Sequence, residues 1–157
     1  GGGLRYKRLK PGFGSSAVQN KDTVDLIFSI SRANGSYMYS KGFGFEKVQN
    51  VGVGTSLQSD EGIESYRVVL GKGDDRDIPL GIEQAILGMK KGERRRIEVP
   101  PSVGFETSNW QPEPTTRRGK AQIVDYKSIL YGRGSSQPPF PAPTIWDVEV
   151  LSFRPST

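Results

Sequence analysis

Apolar residues recur at every second position in several short stretches of this chain. In the segment from Thr23 to Ser31, Val24, Leu26, Phe28 and Ile30 share one face, and Asn34-Gly35 follows as a strong hairpin turn before Tyr37-Met38-Tyr39. The same period runs through Tyr66, Val68 and Leu70, and through Trp146, Val148 and Val150 near the end. In Arg94 to Val99, three polar positions (Arg94, Arg96, Glu98) alternate with Arg95, Ile97 and Val99 until Pro100-Pro101 ends the ladder. LRYKRL, residues 4 to 9, alternates apolar with basic positions and predicts a half-exposed first strand.

A different period interrupts these strands once. Ile82, Ala85, Ile86 and Met89 fall at i, i+3, i+4 and i+7, which predicts a short helix with Glu83 near its positive end, Lys90-Lys91 near its negative end and Gly92 as its stop. Two stretches carry no sustained period: residues 41–64 and residues 106–143, both read as long loops, with Gln122 to Leu130 as a candidate short element in the second. The order of strands, one short helix and further strands describes an α+β domain whose helix packs on one sheet face. The unbroken spread of apolar positions predicts a single domain over residues 1–157.

Composition narrows the chemistry. The chain has no Cys and no His, so disulfides, thiolate metal sites and the usual general base are absent, and no Ser or Thr can be activated by an imidazole. The DDRD run at 74–77 does not have the spacing of a calcium loop and reads as a charged turn. Gly52-Val53-Gly54-Thr55 lacks the lysine of a phosphate loop. No cofactor is expected. The net charge of +5, with Arg94-Arg95-Arg96 and Arg117-Arg118, raises nucleic-acid binding, but alternate strand arginines facing water explain it more simply and no basic recognition helix is present. No stretch reaches the roughly 20 apolar residues of a membrane helix. The opening Gly1-Gly2-Gly3, without Met, reads as the start of a processed product.

One reaction needs none of the missing groups. Rotation about an Xaa-Pro bond faces a barrier of about 18–20 kcal/mol because amide resonance is lost on the way. An apolar cleft that removes the carbonyl from water and fits the twisted form lowers it.

The sequence resembles the FKBP family of peptidyl-prolyl isomerases. IPLGIEQAILGMKKGERRRIEVPPSVGF, residues 78–105, is similar to the family's V-I-x-G-W-x-x-G-(6)-G-x-x-(7)-P-x-x-x-Y run; TIWDVEVL, residues 144–151, resembles its last strand; and Asn34-Gly35 falls at its early hairpin. The resemblance implies a curved antiparallel sheet wrapped around one short α-helix, here with two long insertions. It implies a proline pocket formed by Phe28, Met38, Tyr39, Tyr66, Ile78, Pro79, Ile82, Phe105 and Trp146. Each of these is equally suited to the inward apolar layer of a sheet. Four depart from the family: Ile82 stands where the floor is Trp, Tyr39 where it has Asp, Phe105 where it has Tyr, and Pro79 where a backbone N–H holds the ligand carbonyl, a donor that proline lacks. Reduced isomerase activity on proline-containing segments is therefore expected, with a non-catalytic accessory or assembly subunit as the alternative. SRANGSYMYS, GMKKGERRR and VPPSVGF look closest to plastid immunophilins of the thylakoid lumen, which implies that compartment and photosynthetic complex subunits as partners.

Overall fold

The computed structural model describes residues 4–42, 65–104, 114, 117–130 and 143–155. Within them lie six strands, β1 (Arg5–Lys10), β2 (Thr23–Arg32), β3 (Tyr37–Lys41), β4 (Tyr66–Val69), β5 (Arg94–Val99) and β6 (Thr144–Arg154), and two helices, α1 (Leu80–Ile86) and α2 (Arg117–Leu130). The strands form one antiparallel sheet in the order β1-β5-β6-β2-β3, and β4 pairs with β2 on the same side as β3. Of the excursion predicted at residues 41–64, residues 43–64 lie outside the described residues, as does Phe105.

The two-residue period sets the core. Val24, Leu26, Phe28 and Ile30 of β2 are fully buried, as are Trp146, Val148 and Val150 of β6, which pair with them in register: Phe28 faces Val148 and Ile30 faces Trp146. The Asn34-Gly35 turn forms between β2 and β3, with Gly35 at φ 92°, a conformation that side-chain-bearing residues rarely adopt. Helix α1 lays Ile82, Ala85 and Ile86 on the sheet. It lies close to β5 because Gly81 has no side chain: a Cβ there would sit 3.0 Å from Val99 Cγ1 and 3.0 Å from Val103 Cγ2. The α+β architecture is the expected one.

Three features differ from the sequence-based expectation. First, the stretch at 106–143, read as a loop with a candidate element at Gln122 to Leu130, contains the longer α2, so the described residues hold two α-helices. Second, α1 ends at Ile86 and Lys90-Lys91 lie beyond it. Its terminal carbonyls are held by Arg95, whose Nη1 donates to Ala85 O at 2.8 Å and to Leu87 O at 3.3 Å. Third, Arg95 does not face water; it is only 4% exposed. Its Nε donates to Glu93 Oε2 at 2.6 Å, and its guanidinium lies 4.3 Å from the ring centre of Tyr6. The outer arginines behave as expected: Arg94 pairs with Glu149 and Arg96 with Asp147, across the β5–β6 ladder.

The Glu93–Arg95 pair is buried on both sides, and Glu93 also accepts from the Lys90 amide at 3.0 Å and from Arg8. Burial pushes the Glu93 carboxyl up, but the Lys90 amide, Arg95 and Arg8 more than offset it, so the group titrates below its ordinary 4.5. A depressed folded value means the pair's stabilisation is complete above the unfolded pKa and is lost as pH falls through the folded one. Replacing Glu93 by Gln strands the Arg95 charge in the core, and about 3 kcal/mol of stability is expected to disappear. Urea unfolding at pH 7 measures this loss, and the gap between Glu93→Gln and the parent should shrink as pH is lowered below 4.5.

Candidate functional site

Phe28 occupies the centre of the sheet's buried face and collects an aromatic group. Its ring centre lies 5.3 Å from that of Trp146, 5.8 Å from Tyr66 and 6.0 Å from Tyr39, the last two meeting it edge-on. Four strands thus deliver one cluster: β2 supplies Phe28, β3 Tyr39, β4 Tyr66 and β6 Trp146. Alternation makes this unavoidable once the register is set, because residues of one parity on adjacent strands share a face. The polar handles of Trp146 and Tyr66 are satisfied locally. Trp146 Nε1 donates to Thr144 Oγ1 at 3.0 Å, and the Tyr66 hydroxyl donates to the Asp77 carbonyl at 2.7 Å.

The last contact joins the cluster to the entrance of α1. Asp77 is followed by Ile78 and Pro79, both buried, and Pro79 begins the helix: its carbonyl accepts from the amides of Ile82 and Glu83. Proline suits this place because the first amides of a helix have no intrahelical acceptor. It also leaves position 79 without a backbone donor. Ile82 projects from α1 into the core at 0% exposure, and Met38 on β3 is equally buried.

Among the eight described members of the expected site, seven are buried and Tyr66 is half-buried; Phe28, Met38, Ile82 and Trp146 show no exposed surface at all. Seven of the eight belong to the one core cluster or pack against it; the eighth, Pro79, stands at the start of α1. The space between sheet and helix is therefore filled, among the described residues, by the protein's own side chains. An open hollow of about 760 Å³ between Phe13, Ala17, Lys91, Phe153 and Pro155 shares no residue with it.

A residue that sequence reasoning did not place here is Tyr126. It lies on α2, which packs against β3, and it is 2% exposed within the same core cluster, with Ile123 beside it. The sequence carries a trace of this: Ile123, Tyr126 and Leu130 recur at i, i+3 and i+7.

The profile of the family described as FKBP-type peptidyl-prolyl cis-trans isomerase matches residues 14–151. The chain belongs to that family. Relatives include three proteins of Arabidopsis thaliana, each named a chloroplastic peptidyl-prolyl cis-trans isomerase: FKBP16-1, 30% identical over 71% of this chain and 45% of that protein; FKBP17-1, 24% identical over 98% and 61%; and FKBP19, 29% identical over 98% and 54%. The chain thus spans about half the length of the curated relatives it matches. A solved structure, the three FKBP domains of wheat FKBP73, superposes on 98% of this chain and 47% of its own length at a TM-score of 0.59 and 18% identity, which speaks for the FKBP fold. No helix among the described residues is long and apolar enough to cross a membrane, and they contain no cluster of metal-binding side chains.

The Tyr66 hydroxyl is the polar tie between the aromatic cluster and α1. Burial, with the nearby Asp77 charge, pushes its pKa up to about 12. A raised folded value means its contribution holds below the free tyrosine value of 10.0 and is lost as pH climbs toward 12. Tyr66→Phe is expected to cost about 1 kcal/mol at pH 7. Thermal unfolding of the two proteins should converge above pH 11, because the parent alone is weakened there.

Proposed function

We propose that this chain is a peptidyl-prolyl isomerase domain of the FKBP type that takes Xaa-Pro segments into the hollow lined by Phe28, Met38, Tyr39, Tyr66, Ile78, Pro79, Ile82, Phe105 and Trp146, and turns them over slowly. The supporting observation is the convergence of Tyr39, Tyr66 and Trp146 on Phe28 between the sheet and α1. A proline ring held there is dry, and its preceding carbonyl loses the water that stabilises the charge-separated planar amide. No proton transfer, nucleophile or cofactor takes part. Two substitutions keep the rate low. Pro79 offers no amide to hold the substrate carbonyl, and Tyr39 occupies space beside Phe28 that the family gives to an Asp. Each interaction missing from the transition state slows the reaction about tenfold per 1.4 kcal/mol.

A second reading is a non-catalytic accessory or assembly subunit of a photosynthetic complex in the thylakoid lumen. What favours it is the absence of exposed surface on Phe28, Met38, Ile82 and Trp146, which leaves a client no apolar surface in the resting form. The chloroplastic names of the relatives support the organelle in either case.

Isomerisation of a short Xaa-Pro peptide separates the two. The parent is expected to exceed the uncatalysed rate, and Phe28→Leu, which leaves an apolar side chain in the core, should lower kcat/KM about tenfold. A parent rate equal to background removes the enzyme and leaves the assembly subunit.

A further inference from the structure

Strands β5 and β6 are antiparallel neighbours, and Val99 pairs directly with Thr144. A turn of about two to five residues would join such ends. Instead the chain spans residues 100–143 and places α2 against β3, the strand at the far end of the sheet order. The helix therefore does no work in connecting its own strands. It packs on the strand that carries Met38 and Tyr39, both members of the proposed proline site, and its Tyr126 belongs to the same core cluster as they do.

Of the described side chains of α2, Tyr126 alone is buried apart from Gly119, Ile123 is partly covered, and Val124 is 66% exposed. A polar attachment accompanies these contacts. Arg32, at the end of β2, donates from Nη2 to Asp125 Oδ2 at 2.6 Å and to Gln122 Oε1 at 3.2 Å. The Arg32 side chain is 15% exposed and that of Asp125 47%, so water reaches one side of the pair. Arg32 Nε is buried without a hydrogen-bond partner, so the closed arrangement holds an unsatisfied donor that opening would hydrate.

We propose that α2 is a cover latched over the proline site by the Arg32–Asp125 pair, and that a proline segment enters when it lifts. The inference rests on the isomerase reading above for the identity of the occupant, and on α2 alone for the closure.

The chain contains no cysteine, so an introduced thiol is a unique probe. Met38→Cys reports exposure under α2, and Val148→Cys, on the fully buried β6 face, reports global unfolding. Thiol labelling is measured for each, with and without Asp125→Asn. Loss of the latch is expected to speed labelling at position 38 about fivefold to tenfold and to leave position 148 unchanged. An unchanged rate at position 38, or an equal rise at both positions, overturns the cover. Isomerisation of an Xaa-Pro peptide by Asp125→Asn, without the thiols, should rise in parallel with labelling. Faster labelling at position 38 alone, with isomerisation at background in both parent and variant, upholds the cover and removes only the isomerase.

Discussion

Everything in this fold turns on the packing around Phe28. Three aromatic rings from three different strands meet it within 5.3–6.0 Å, and of those strands only β3 directly follows β2 in the order of described elements. Edge-on and tilted pairs of this kind add about 0.5–1.5 kcal/mol each beyond the area they bury. The cluster therefore fixes how β3, β4 and β6 sit on β2. Through the Tyr66 hydroxyl and Asp77 it also sets where α1 begins. The same contacts that hold the sheet together involve the residues proposed above to receive proline. Stability and access consequently oppose each other at one place.

Arg95 fixes the other end of α1. A guanidinium in the core is costly unless it is paired, and here Glu93, two terminal helix carbonyls and the face of Tyr6 share it. The arrangement ties β1, β5 and α1 to one group. Between this anchor and Pro79 the short helix is defined at both ends by tertiary contacts, which suits seven residues too few to be helical alone.

The parts legible in the sequence were those where one physical period dominates. Strands β2 and β6 alternate cleanly because one face is core and the other is not, and α1 shows its stripe because a single side meets the sheet. Arg95 was misread as solvated, although it shares the parity of Ile97 and Val99; the telling neighbour was Glu93, on the same face two residues earlier. Helix α2 was legible only in part, as the candidate element Gln122 to Leu130; its polar composition and Gly119 near its start obscured the first turns, and it docks on β3. Whether an inward aromatic lines a hollow or fills a core is not encoded in residue type, since both demand the same apolar surface. The exposures of Phe28, Met38, Ile82 and Trp146, all 0%, place these four side chains within the packed core.

That enclosure is read most directly from Trp146, which has no exposed surface and stacks near Phe28. With Trp110, the second of the two tryptophans, replaced by Phe, Trp146 becomes the sole indole reporter. Acrylamide quenching of its fluorescence should be weak and its emission blue-shifted, as for an indole sealed from water. Quenching as efficient as that of free indole would show the site standing open and would contradict a hollow closed by the protein's own chain.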